Sequence, residues 1–122
     1  WDMDDKTREW SKRFFAKINR MPTMWQAGVY SSTIAYLSAV KDAGTDEPLK
    51  VAEKMRARPI DDFFARGGKL RDDGLMVHDL MLVQVKKPDE SKYPWDYYKI
   101  LTKISGADAF GPPDPACPLV KK

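Results

Sequence analysis

The sequence is poor in cysteine and histidine, with one of each among 122 residues. Cys117 has no partner within the chain, so it is either a free thiol or paired outside these residues, and the redox compartment stays open. A large excess of charge of one sign is also lacking, because 21 Lys and Arg residues are interspersed with 18 Asp and Glu residues. The net charge of +3 gives a mixed surface, and we expect no nucleic acid as a partner.

Motifs that carry catalysis or bind cofactors are absent as well. No serine or cysteine has the residues of a nucleophile elbow around it. The stretch DMDD at residues 2–5 lacks the glycine and the distal glutamate of a calcium loop. Gly67 and Gly68 precede a predicted strand and not a helix, so they do not form a phosphate-binding loop. The sequence predicts no enzyme, no metal site and no cofactor.

The chain opens at Trp1 without an initiator methionine, a basic segment or the apolar run of a secretion signal. We therefore expect it to be a fragment of a longer protein. With 122 residues, 43% of them hydrophobic and 32% charged, it is long enough for one small globular domain with a modest core.

Residues 1–58 form the predicted helical part. Asp4 and Asp5 stand where acidic groups favour a helix start, and Asn19 and Pro22 end this first helix. Between them, aromatic and apolar residues recur at helical spacing and predict a core-facing stripe: Trp10, Phe14, Phe15 and Ile18.

Two further helices are predicted in the same part. The first covers about residues 27–43, is apolar enough to be buried, and ends at Gly44 as a left-handed stop. The next is capped by Thr45 or Asp46 and ends at Pro59, and its predicted inward stripe is Leu49, Ala52 and Met55. The short link between them predicts an antiparallel pair.

Residues 59–110 are predicted to hold an antiparallel β-hairpin, and residues 111–122 a proline-rich tail that runs extended over a surface. Gly67–Gly68 and the run Asp72, Asp73, Gly74 supply the turn residues. Residues 77–85 are predicted as the best strand, apolar on both faces at its centre. Residues 95–104 suit a partner strand or, less well, a short helix.

The adjacent pair His78 and Asp79 could suggest a catalytic dyad. Adjacent residues in a strand point to opposite faces, so these two side chains are not expected to act as base and orienter or to bind one metal. A hydrolase or transferase built on them is therefore disfavoured. They are predicted to mark the entry of a strand.

Four segments carry a resemblance to a known family: WDMDDKTREWSKRFFAK, MPTMWQAGVYSSTIAYLSAVKDAGTDE, RPIDDFFARGGKLRDDGLMVHDLMLVQVKKPDESKYPWDYY and the closing CPLVKK. In this order they resemble the C-terminal third of type I periplasmic solute-binding proteins that feed ABC importers, in the branch for branched-chain amino acids and aromatic acids. The resemblance covers essentially all of this chain but only part of the family's length.

The resemblance implies an α/β fold, periplasmic binding protein-like and incomplete, with a helical N-terminal half followed by a small antiparallel β-sheet. In the family, two lobes close about a hinge on a small carboxylate-bearing solute. Residues 27–58 would then belong to the N-terminal lobe, and residues 69–85 with the following strand to the C-terminal lobe. Segments 21–26 and 59–64 would lie near the hinge.

The resemblance also implies candidate ligand-binding residues. The stretch before the helix that begins AGVY approaches the ligand in relatives, which indicates Trp25, Gln26 and, as a weaker candidate, Tyr30. Trp25 is large for this position, so packing at the hinge remains an alternative role for it.

The function implied is that of a periplasmic solute-binding component of an ABC transporter for amino acids or small aromatic or aliphatic carboxylates, present here as a fragment. Its implied partners are the solute, the membrane permease, and either the missing N-terminal part or a second copy of the chain. We expect uncovered apolar faces, and no useful solute affinity from these residues alone. The alternative is a small ligand-sensing or oligomerisation module that reuses the same fold.

Overall fold

The computed structural model describes residues 3–120. Three helices come first, followed by two pairs of short strands and a final short helix. In chain order the elements are α1 (Asp5–Ile18), α2 (Met24–Ala43), α3 (Pro48–Ala57), β1 (Lys69–Leu70), β2 (Met76–Val77), β3 (Leu80–Val85), β4 (Tyr98–Ile104) and α4 (Gly106–Ala109).

Helix α1 begins and ends where its sequence predicts. The Asp4 carboxylate accepts a hydrogen bond from the Thr7 backbone N–H at 2.8 Å and caps the first turn. At the other end Asn19 adopts a left-handed conformation with φ 55°, and its N–H donates to the Phe15 carbonyl at 2.8 Å.

Helix α2 begins three residues earlier than predicted, at Met24. The reason is a capping box, in which the Thr23 hydroxyl accepts from the Trp25 N–H and the Gln26 side chain accepts from the Thr23 N–H at 2.9 Å. Residues 24–26, expected in a connection, are therefore helical. The predicted stop at Gly44, with φ 64°, is confirmed.

The predicted cap of α3 is wrong, and its predicted inward stripe is wrong at Leu49, whereas Ala52 and Met55 are half-buried. Glu47, and neither Thr45 nor Asp46, caps the helix, because its carboxylate accepts from the first free N–H groups at 2.9 and 3.1 Å. Val51 faces inward at 2% exposure, whereas Leu49 is 79% exposed. Helix α3 packs against α2 and β1.

The β part contains two antiparallel pairs where a single small sheet was expected. Strand β1 pairs with β2, and β3 pairs with β4 in a register that runs from Leu80 opposite Ile104 to Val85 opposite Tyr98. The predicted continuous strand 77–85 is broken at residues 78–79, which belong to neither pair. Of the two alternatives for residues 95–104, the partner strand is confirmed over Tyr98–Ile104.

The chain after β4 folds back on the corner between β2 and β3. Gly106, the first residue of α4, is buried there, and a Cβ at this position would lie 2.8 Å from Val77 Cγ1. The tail is less extended than predicted, since Cys117 donates its N–H to the Asp114 carbonyl and Val120 to the Cys117 carbonyl. Cys117 itself is a half-buried free cysteine.

The core of the described residues is small. Its buried hydrophobic residues are Trp10, Ala39, Val51 and Ala65. The predicted burial of α2 is wrong for its outer face, because Ile34 and Leu37 are 45% and 54% exposed. Leu82 on β3 is 48% exposed, which agrees with the expectation of uncovered apolar faces. Within residues 3–120, no helix combines the length and the hydropathy needed to cross a bilayer.

Candidate functional site

An open apolar hollow of about 470 Å³ lies between α1 and the first half of α2. Its walls are mainly aromatic and aliphatic, and their polar groups are a carboxamide, a phenol, a hydroxyl and two indole N–H groups. The lining residues are Trp10, Phe14, Trp25, Gln26, Val29, Tyr30, Thr33 and Ile34. We call this feature the α1–α2 hollow.

The α1 wall is fixed by contacts with the segment after α3. The Trp10 ring stacks on Phe63 with ring centroids 4.4 Å apart, and Thr7 Oγ1 lies 3.3 Å from the Phe63 carbonyl oxygen. Asp4, the cap of α1, also pairs with Arg66. The Phe63 ring also contacts an aromatic ring of α2, with centroids 5.7 Å apart, so this segment connects α1 with α2.

The structure brings the three predicted ligand-binding residues together in this hollow. Trp25 lines the hollow and is 74% exposed. The Gln26 carboxamide oxygen is engaged by Thr23, whose hydroxyl lies 2.6 Å away. The Tyr30 hydroxyl accepts a hydrogen bond from Arg13 Nη2 at 3.4 Å.

Sequence reasoning missed the contribution of α1. Trp10 and Phe14 were predicted as core residues only, yet both line the hollow while Trp10 is also 6% exposed. Their spacing of four residues indicates one helix face but does not indicate what that face meets. The Trp10 ring lies 5.6 Å from Tyr30, so the packing of α1 on α2 creates the site.

A second, smaller hollow of about 260 Å³ lies on the other side of α1, between the helix and the loop that joins β3 to β4. Trp95 in this loop packs 5.0 Å from Phe15 and has a left-handed backbone with φ 68°. The next residue, Asp96, is buried and accepts from Lys86 Nζ at 2.6 Å and from the Lys92 N–H at 3.0 Å. These bonds lower the pKa of Asp96 and hold the loop in place.

His78 and Asp79 have separate structural roles. His78 Nδ1 lies 2.9 Å from the Asp79 carbonyl oxygen, and its ring packs between Phe64 and Phe110. The Asp79 carboxylate pairs with Lys103 at 2.6 Å and accepts from the Gly106 N–H at 3.0 Å, which lowers its pKa. The two side chains do not form a dyad. Their separation was expected from the alternation of side chains along one strand, but these residues instead lie in the break between two strands. No cluster of metal-ligating side chains occurs among residues 3–120.

The four helices and the two antiparallel strand pairs form a portion of an α/β fold, with an aromatic hollow at its surface. Residues 1–92 match the periplasmic binding protein family, and the chain belongs to that family. A comparison with curated proteins gives no match.

Two solved structures are similar to this chain. A periplasmic binding protein from Burkholderia mallei is 46% identical with a TM-score of 0.94, and the match covers 99% of this chain and 32% of that one. A branched chain amino acid ABC transporter periplasmic ligand-binding protein from Burkholderia xenovorans is 46% identical with a TM-score of 0.88, covering 92% and 30%. The expected fold class is confirmed, and the chain spans about a third of the length of these relatives.

Proposed function

We propose that this chain contributes to the solute-binding component of an ABC importer for amino acids or small aromatic or aliphatic carboxylates, acting in the periplasm without catalysis. The observation that carries the proposal is the α1–α2 hollow, in a chain that belongs to the periplasmic binding protein family. Its volume of about 470 Å³ falls within the range typical of small-molecule sites. The similarity to the Burkholderia xenovorans protein, a branched chain amino acid ABC transporter ligand-binding protein, supports this solute class.

The proposed contacts are Trp25, Gln26 and Tyr30. Trp25 offers a large apolar surface, while the Gln26 carboxamide and the Tyr30 hydroxyl offer polar groups that orient a solute. An open hollow does not enclose a ligand, so we propose that a second lobe, as in the family, closes over it. The partners proposed are the solute, the membrane permease and a covering polypeptide.

Trp25→Ala tests the site in the full-length gene product. Loss of an aromatic anchor from a binding pocket weakens affinity by about 30-fold or more, so the dissociation constant for the tightest-bound amino acid or carboxylate should rise accordingly. Isothermal titration calorimetry over a panel that includes leucine, phenylalanine and benzoate provides the measurement.

Leu49→Ala is the matched control, because Leu49 is 79% exposed on α3 and does not line the hollow. It should leave affinity unchanged. Equal affinities for the Trp25 variant and the unmodified protein would remove the α1–α2 hollow from the solute site.

The exposed apolar faces favour a second candidate function, a ligand-sensing or oligomerisation module. Trp25, Val29 and Leu37 on α2 are 74%, 66% and 54% exposed, and Leu82 and Ile100 on the β3–β4 pair are 48% and 46% exposed. Such faces are typical of surfaces covered in an assembly. Light scattering separates the candidates: a solute receptor is a monomer that binds ligand, whereas a module of this kind is an oligomer whose association buries these faces.

A further inference from the structure

One cation lies beside the α1–α2 hollow without lining it. Arg13 on α1 directs Nη2 to the Tyr30 hydroxyl at 3.4 Å, near the upper limit for a hydrogen bond. Resting on the function proposed above, we propose that Arg13 binds the carboxylate of the solute in this hollow. The role is one that neither the family match nor the three sequence-predicted contacts assign.

The charge environment of Arg13 differs from that of most other arginines. Five of them pair with carboxylates: Arg8, Arg56, Arg58, Arg66 and Arg71. Within residues 3–120, the hydrogen bond to Tyr30 is the interaction recorded for Arg13, and it has no carboxylate partner. Its charge is therefore not neutralised by this part of the chain, and an incoming carboxylate would be its counter-ion.

The geometry of the neighbouring groups suits a carboxylate. Gln26 and Tyr30 are four residues apart on α2, so they share one face of the helix. The Gln26 oxygen already accepts from Thr23, and among the described residues its amide nitrogen has no recorded acceptor. The hollow is thus lined by the Gln26 amide and by the Tyr30 hydroxyl, and the Arg13 guanidinium contacts that hydroxyl.

The chemistry of arginine favours this assignment over a purely structural role. A guanidinium presents parallel N–H donors that match the two oxygens of a carboxylate. Trp10 and Phe14, on the same helix as Arg13, give the hollow an aromatic wall. The apolar part of the solute would contact these rings while its carboxylate lies toward Arg13.

The test uses Arg13→Met in the full-length gene product, with two pairs of probes: benzoate with benzamide, and leucine with leucinamide. We expect the variant to bind the carboxylates about 10- to 100-fold more weakly, as loss of a charge-assisted hydrogen bond predicts, and to bind the amides as the unmodified protein does. Arg13→Lys should recover part of the affinity, because it restores the charge without the fork.

Lys12→Met is the matched control, since it removes the same charge one residue away, on the side of α1 that lines the second hollow. Carboxylate affinities that are equal in the Arg13 and Lys12 variants would overturn the inference, as would an equal loss for carboxylates and amides. If Trp25→Ala weakens binding while Arg13→Met does not, the solute site stands and the anchor is wrong. If the unmodified protein binds neither benzoate nor leucine nor any other carboxylate, both proposals fail.

Discussion

Asp4 caps α1, the helix that forms one wall of the α1–α2 hollow, and its replacement should change the stability of the protein by a defined amount. The carboxylate accepts from the Thr7 N–H and hydroxyl, both at 2.8 Å, and pairs with Arg66. The hydrogen bond from the Thr7 backbone is the main cause that lowers the pKa of Asp4 from 3.8 to about 2, with Arg66 contributing. The ionised form is therefore stabilised by folding.

The difference between these two pKa values corresponds to roughly 2.4 kcal/mol at about 1.36 kcal/mol per pKa unit. Because the Asp4 side chain is 44% exposed, solvent screening reduces this contribution to about 1 kcal/mol. The cost of losing an N-cap is also about 1 kcal/mol, so the two estimates agree.

Asp4→Ala should lower the free energy of unfolding by about 1 kcal/mol at pH 7. Asp4→Asn should lower it by about 0.5 kcal/mol, because asparagine keeps the cap but loses the ion pair with Arg66. Chemical unfolding of the purified protein, followed by circular dichroism, measures both values.

The pH dependence of stability tests separately whether the ionised Asp4 carboxylate stabilises the folded protein. A carboxylate whose pKa is lowered by folding stabilises the protein above the unfolded pKa, about 4, and this stabilisation is lost as the pH falls through about 2. The stability gap between the unmodified protein and Asp4→Asn should therefore close over that window. A gap that stays constant from pH 5 to pH 2 would refute the electrostatic reasoning.

Two other substitutions test the packing around the site. Trp10→Ala should lower the free energy of unfolding by about 3–5 kcal/mol, because it removes a buried ring stacked on Phe63. Trp10→Phe should lower it much less, and urea unfolding measures both values. Gly106→Ala should lower the free energy of unfolding by about 1–3 kcal/mol, because its Cβ would meet Val77 and the His78 backbone within 3.0 Å. Gly111→Ala is the control, because no described heavy atom lies within 4 Å of the added Cβ, and it should leave the melting temperature unchanged. Equal melting temperatures for the two glycine variants would contradict the overpacking argument.

The sequence predicted those elements whose ends are decided locally. Asp4, Asn19 and Gly44 each mark a helix end through their own side chain or backbone, so the start and end of α1 and the end of α2 follow from the sequence. The start of α2 was missed, although Thr23 followed three residues later by Gln26 is a signal for a capping box.

Features that depend on tertiary partners could not be predicted in the same way. Leu49 and Val51 are both apolar, so the sequence does not indicate which of them is buried. The packing of α3 on α2 and β1 decides that it is Val51. At the strand break at residues 78–79, Asp79 contacts Lys103 and Gly106, which come from distant parts of the chain. The contact between Arg13 and the Tyr30 hydroxyl likewise depends on how α1 packs on α2, so an arginine at this point in the sequence does not by itself indicate a binding site.

The β3–β4 pair has a consequence for how this chain folds over time. Its two strands are joined by the loop at residues 86–97, so they can pair early, since hairpins close in about 1–10 μs. Leu82 and Ile100 then remain 48% and 46% exposed, and within the described residues no further strand covers either outer edge. Between pairing and the arrival of a covering surface, correct assembly competes with self-association. The yield of folded protein should depend on the rates of these two steps more than on final stability.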